Sequence, residues 1–382
     1  MALSSSIDPE TAAPSASLNQ HRLRYLDGMR GVAVLAVMAW HYTNWDYEKF
    51  LPYGTRYAAI PVLDHGWIGV NIFFCISGFV ILMTLDRCQG FGEFMARRWS
   101  RLFPAMLFAS LLVFSASQLI GQYMPHGRAA PVNLLPGLTF IIPPFWQALL
   151  GRPVDELDGV YWTLYVEMGF YVVFGLAYAR LGWRRGLAAL ATIWLLTIIA
   201  SRVASSAQLP WLATAITPLQ WIGAEYYGWF VSGALFYKAS APRSNALFAA
   251  ALIAGVISAF TSDLWQPGDL ESRIYLTFCL LFFALAQRSR VIQRGLSTRW
   301  LLFAGAVSYP LYLLHNELGI GLIGLAGTLL PPTLWMFIPF FCMGLMLCLA
   351  WCVVTWIESP ATARLRTGLL RLTGTRAEIA SG

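Results

Sequence analysis

The chain has 382 residues, of which 58% are hydrophobic and only 12% charged, and its mean hydropathy is +0.59. Soluble domains carry roughly twice that charged fraction, so a water-soluble globular class is excluded, and the apolar residues cluster in repeated runs near membrane-span length. The net charge of +7 is not a nucleic-acid footprint, because the basic residues lie in short segments between apolar runs rather than along one soluble face.

Residues 1–23, rich at first in Ser, Ala and Pro, read as a disordered cytoplasmic tail. The first apolar run has no small-residue cleavage site after it, so it reads as a retained span rather than a removed signal peptide. A transmembrane domain follows over 24–360 and a basic cytoplasmic tail over 361–382. The pattern predicts an all-α polytopic membrane protein of about ten spans, near 27–45, 67–85, 102–121, 160–179, 187–205, 221–237, 245–262, 274–287, 301–330 and 333–357. Leu134 to Leu150 is apolar but broken by Pro136, Pro143 and Pro144, and reads as a re-entrant or surface-lying lid instead of a span. With both termini inside, the cytoplasmic segments hold 20 of the 26 Lys and Arg, which fixes the expected orientation by the positive-inside rule. Six cysteines lie mostly in apolar runs without CxxC or Cys/His ligand spacing, so no metal site is expected.

The first span carries Arg30 and His41, eleven residues apart on nearly one helix face and about 16 Å apart along the axis. A span that needed only to be apolar would contain neither. An intramembrane histidine faces a cavity or a bundle interior. It admits two readings here, a neutral imidazole bonded between helices or a general base. Asp27 and Arg30 are spaced to pair along the helix, either as an interfacial anchor or as a ligand grip. In the second span, Asn71 is a buried polar group, and Ser77 lacks the G-x-S-x-G surroundings of a nucleophile and reads as packing. The turn Phe94 to Pro104 concentrates Arg97, Arg98 and Arg101, which suits either topology anchoring or a grip on a phosphorylated ligand. Glu167, about two turns into the fourth span, needs a partner or a proton. A pair with His41 would orient the imidazole and stabilise its charged form; the alternative is a protonated carboxyl bonded to a neighbouring helix. In the ninth span, Pro310 implies a kink between Tyr309 and His315, and His315 reads as supporting or packing more readily than as directly reactive.

These blocks together resemble the acyltransferase-3 family of integral-membrane O-acyltransferases over about residues 24–360. The resemblance rests on Arg30-x10-His41, Gly69-Val-Asn-Ile-Phe-Phe-x-x-Ser77-Gly78-Phe79, Phe94 to Pro104, Trp162-x4-Glu167-x-x-Phe170-Tyr171, Ser308-Tyr309 to His315, and Ile357-Glu358-Ser359-Pro360. It departs at Asn71, where the family pattern has an acid. The sequence also lacks the soluble extracytoplasmic domain that some members append, so the acceptor chemistry is expected in the membrane domain or in a partner. The resemblance implies a bacterial inner-membrane enzyme with no tightly bound cofactor. Acetyl-CoA or another acyl-CoA would donate an acyl group to a hydroxyl of a surface or exported glycan or a glycosylated metabolite. Catalysis would fall to His41 and Glu167, and donor binding to Arg30, Arg97, Arg98 and Arg101. Asp27, Asn71, Ser77, Tyr309 and His315 would support them. The rival reading is a proton-coupled transporter or flippase of a lipid-linked glycan, against which the absence of internal repeats counts.

Overall fold

Small residues decide how the helices of this chain meet. In the computed structural model, which describes residues 24–43, 45–57, 60–240, 243–261 and 270–372, helix α1 (Arg24–Thr43) contains Gly28 and Gly31. Each costs about 1 kcal/mol of helix propensity relative to Ala, and packing explains their presence. A β-carbon at Gly31 would lie 2.3 Å from the carbonyl oxygen of Leu301, and one at Gly305 would lie 1.9 Å from that of Asp27. Backbone thus meets backbone where α1 crosses α10 (Arg299–Ala306). The same device joins α2 (Gly69–Leu85) to α7 (Tyr227–Ser240), with Gly78 against Phe230 and Gly233 against Cys75. Helix α1 is held between α10 and the start of α2, where Gly69 meets the backbone of Ala33.

After α2 comes α3 (Phe91–Ile120), with Pro104 inside it. The helical run Trp162–Ser206 is interrupted at Gly182, whose φ of 71° and ψ of 176° leave the helix. A β-carbon at Gly186 would lie 3.1 Å from the backbone of Ala177 and Tyr178. Nine residues along a straight helix would separate those positions by about 13 Å. The chain therefore doubles back, giving α4 (162–181) and α5 (183–206), with Arg180, Arg184 and Arg185 at the turn. These two helices correspond to the fourth and fifth expected spans. A further apolar helix, α6 (Pro210–Trp221), had no counterpart in the sequence reading. It is followed by α7, α8 (Asn245–Thr261) and α9 (Leu270–Arg288).

The expected single span at 301–330 is broken. Beyond α10 lie α11 (Ser308–Leu314) and α12 (Glu317–Leu329). Pro310 has no amide hydrogen for the carbonyl at 306, which accounts for the first break. The second falls at His315–Asn316, where the carboxylate of Asp158 accepts from Asn316 Nδ2 at 2.9 Å and from the Glu317 amide at 3.1 Å. Helix α13 (Ile338–Val353) runs through a π-helical turn, Val354–Glu358, into α14 (Ser359–Leu372), which packs along α3. The stretch expected as a basic tail from 361 is therefore helical as far as Leu372; its last ten residues and the expected N-terminal tail lie outside the described residues.

The proline-rich stretch at 134–150 forms two short helices, Leu134–Thr139 and Pro143–Leu150, with Phe140 in the left-handed region between them. At six and eight residues neither crosses a membrane. Five helical stretches are long and apolar enough to do so: Gly66–Leu85, Phe91–Tyr123, the doubled-back Trp162–Ser206, Leu270–Arg288 and Pro332–Leu372. Asn245–Thr261 and Glu317–Leu329 are shorter apolar helices. No strand occurs among the described residues.

Candidate active site

Two polar centres are embedded among these helices. The first is a pair of imidazoles. His41, in the last turn of α1, is 4% exposed, and His315, at the break between α11 and α12, is fully buried. His315 Nε2 lies 3.2 Å from His41 Nδ1, with the rings edge to face at 4.8 Å between centroids. Backbone carbonyls assign the protons. His315 Nδ1 is 2.9 Å from the oxygen of Tyr312 and 3.2 Å from that of Leu311, so it carries hydrogen and its Nε2 is an acceptor. His41 Nδ1, 2.9 Å from the oxygen of Val37, then donates towards both that oxygen and His315 Nε2. The lone pair of His41 is left on Nε2, which has no protein partner among the described residues. Tyr42 fastens the pair further, its hydroxyl donating to the His315 carbonyl at 3.0 Å.

The second centre is a cavity of about 70 Å³ lined by Arg30, Arg98, Arg101, Ser77, Glu167, Tyr171, Tyr309 and Tyr312, among others. Glu167 accepts hydrogen bonds from the hydroxyls of Ser77 and Tyr171 on one carboxylate oxygen. Arg98 donates to Thr84 Oγ1 and lies 5.8 Å from the Tyr171 ring centre, while its Nε has no acceptor among the described residues. The three arginines outnumber the one lining carboxylate, so the cavity suits an anion.

Tyr312 separates the centres. It lines the arginine cavity, its ring lies 5.5 Å from that of His315, and its hydroxyl is 3.2 Å from Thr163 Oγ1.

The expected contact between Glu167 and His41 is not formed: the carboxylate is held by Ser77 and Tyr171, and the imidazole meets His315. The basic turn also divides, as its helical spacing requires. Arg98 and Arg101 face the cavity, whereas Arg97 turns away to Glu93, with Nε at 2.7 Å and Nη2 at 2.5 Å from its Oε1. Asp27 is 54% exposed and 4.0 Å from Arg30. Tyr309 lines the cavity and donates to the Leu102 carbonyl at 2.8 Å. Asn71 is buried, and neither of its amide atoms has a hydrogen-bond partner among the described residues. Its environment does not supply what a carboxylate there would need.

Sequence reasoning missed a third group of residues beside the imidazole pair. Asp158, fully buried, accepts from Asn316, from the Glu317 amide and from the Val160 amide at 3.0 Å. Glu317, 1% exposed, meets His126 Nδ1 at 2.5 Å. The carboxylate of Glu317 pushes the His126 pKa up to about 9 against the opposing effect of burial. The Tyr161 hydroxyl adds a bond to the Leu313 carbonyl at 3.3 Å. The entry to α4 is thereby stitched to the break that carries His315. An adjacent His-Asn-Glu run after a proline in an apolar span was the available signal, since three polar residues there cannot remain in an unbroken greasy helix without partners.

A family model described as "Acyltransferase domain" matches residues 23–357. The chain is 26% identical over 319 residues to the acyltransferase MdmB of Streptomyces mycarofaciens, covering 77% of this chain and 78% of that protein. It is 30% identical over 268 residues to the exopolysaccharide production protein ExoZ of Rhizobium meliloti, covering 69% and 79% respectively. An O-acetyl transferase of Shigella phage Sf6 is 27% identical over 168 residues, covering 42% and 47%. No solved structure matches the chain.

Proposed function

Since the chain belongs to the acyltransferase-3 family and is an acyltransferase, we propose that it moves an acyl group from a cytoplasmic acyl-CoA, acetyl-CoA first among these, to a glycan or glycosylated-metabolite hydroxyl. It would do so across the bacterial inner membrane, through about ten spans with both termini cytoplasmic. The observation that carries this reading is the sequence of centres along the bundle: three arginines, Tyr312, then the imidazole pair. The positive-inside bias supports placing the arginine end in the cytoplasm.

Arg30, Arg98 and Arg101 would hold donor phosphates, with Glu167 balancing their charge and fixing Tyr171 through its hydroxyl. The thioester would reach past Tyr312. His41 Nε2 takes the proton of the acceptor hydroxyl as its oxygen attacks the thioester carbonyl. The tetrahedral intermediate collapses with cleavage of the carbon–sulfur bond, and the thiolate leaves with that proton. His315 Nε2 accepts the Nδ1 hydrogen of His41 throughout, the orienting role that sequence spacing had suggested for Glu167. No metal is required by this scheme.

The test is transfer of labelled acetyl from acetyl-CoA in membranes bearing the protein, together with mass spectrometry of glycans and metabolites from cells with and without its gene. The reading requires an acyl-bearing product that disappears with the gene and with His41→Ala. Turnover by His41→Ala at the wild-type rate would overturn it. Denaturing quench in a single turnover, followed by peptide mass analysis, separates direct attack from an acyl-histidine intermediate.

A further inference from the structure

A second cavity lies apart from the one that holds Glu167. A pocket of about 700 Å³, ten times the volume of the arginine–glutamate cavity, opens between the ends of α1, α2, α7, α8 and α9. That volume is in the range that takes a drug-sized ligand. Three of its lining residues are arginines from different segments: Arg87 after α2, Arg243 before α8, and Arg288 at the end of α9. No carboxylate among the described residues lines it.

The neighbouring acid does not compensate. Asp86 already accepts from Lys238 Nζ at 2.6 Å, from the Tyr178 hydroxyl at 2.9 Å and from the Tyr237 hydroxyl at 3.0 Å. None of the three arginines forms an ion pair among the described residues. Arg288 is nonetheless held in place, donating to Asn245 Oδ1 at 2.9 Å with its guanidinium 3.8 Å from the Phe248 ring centre. A guanidinium oriented by a neutral amide and a ring keeps its remaining donors for an outside acceptor. Gln287 points the same way. Its Oε1 takes the Tyr25 hydroxyl at 2.6 Å, and its Nε2 is a buried donor without an acceptor among the described residues.

This pocket is separate from the transfer cavity. On α2, Phe79 and Met83 face the large pocket while Phe74 and Ser77 face the small one. Ser77 and Phe79 are about 200° apart around the helix. On α1, Tyr25 and Arg30 diverge by about 140°. The two helices form the wall between the pockets.

We propose that this pocket is a second ligand site, selective for a phosphate group carried on a hydroxyl-bearing or planar body, at the arginine-rich end of the bundle. Arg87, Arg243 and Arg288 take the phosphate oxygens, and Tyr25, Asn245 and the aromatic walls meet the rest. Its placement at the cytoplasmic surface rests on the topology proposed above; its chemistry does not. The phosphate has two sources at such a surface, the headgroup of an anionic phospholipid or a free phosphorylated solute.

The experiment uses the full chain in a neutral detergent, with phosphatidic acid, phosphatidylcholine and inorganic pyrophosphate as probes. Native mass spectrometry counts retained lipid, and a thermal shift reports pyrophosphate. Wild type is expected to retain phosphatidic acid over phosphatidylcholine, or to be stabilised by pyrophosphate, with either signal weakening as salt rises. Arg243→Gln with Arg288→Gln should weaken that signal at least tenfold, and Arg87→Gln alone, at an exposed turn that tolerates change, should weaken it severalfold. Arg128→Gln, whose guanidinium bonds Gln118 and lines neither pocket, should leave it unchanged. Lipid retained against excess pyrophosphate identifies a headgroup site, and displacement by pyrophosphate identifies a site open to free phosphate. The proposal is overturned by the absence of both signals in wild type, by their wild-type strength in the Arg87→Gln variant, or by an equal weakening in Arg128→Gln.

Discussion

The two centres beside Tyr312 differ in how their polar groups are balanced. In the arginine cavity, charge is set against charge: Glu167 faces three guanidiniums and is clamped by two hydroxyls. At the imidazole pair only carbonyls and ring nitrogens take part, and hydrogen-bond direction alone fixes the state of each ring. The difference teaches where each kind of chemistry belongs. A fixed-charge cavity binds an anion with little dependence on exact geometry. A neutral pair aimed through backbone carbonyls supplies a proton acceptor with one free lone pair and depends on geometry throughout.

The sharpest way to break this division is His41→Ala. Transfer should fall by about a thousandfold or more, the scale of losing a positioned base, while detergent-extracted protein elutes as wild type. His315→Ala should cost roughly a hundredfold in kcat with little change in the acyl-CoA KM. Added to His41→Ala it should cost nothing further, because groups acting as one unit are not additive. Glu167→Gln should lower activity about tenfold, and its effect should add to that of His315→Ala. Strong coupling between Glu167 and His315 would erase the distinction between the centres.

Within the arginine cavity, the effect should depend on which way the side chain faces. Arg98→Gln should raise the acyl-CoA KM about tenfold, in line with a charge-assisted hydrogen bond of roughly 1.5–3 kcal/mol. Arg97→Gln, whose partner is Glu93, should change it less than twofold. Equal effects would show that the turn acts through topology.

The smallest effect concerns the stitching beside His315. The His126 pKa is raised to about 9 by Glu317, so the pair's contribution to stability is complete below about pH 6.5, the ordinary histidine value, and is lost as pH rises through about 9. His126 is 43% exposed, so solvent screening keeps the contribution small. The unfolding midpoint should drop by a few degrees at most between pH 6.5 and 9.5 in wild type, and His126→Gln should remove that pH-dependent difference.

Several features were legible in the sequence because they depend on local chemistry. Hydropathy gave the membrane class. The turn between α4 and α5 was written in Arg180 to Arg185 around Gly182, and the prolines of 134–150 excluded a span there. Helical spacing placed Arg30 and His41 on one helix, and two of the clustered arginines, Arg98 and Arg101, line the cavity that holds Glu167, while Arg97 turns to Glu93. What the sequence left open was which of its polar residues meet. His41 and His315 are 274 positions apart, and their contact needs the glycine-mediated crossing of α1 with α10 as well as a helix break placed at His315. Asp158 holds that break from outside the spans. Depth along a helix can be counted from residue number, and this made Glu167 a reasonable partner for His41. Rotation and lateral position follow from packing between distant segments, and packing gave the imidazole to His315 and the carboxylate to Ser77 and Tyr171.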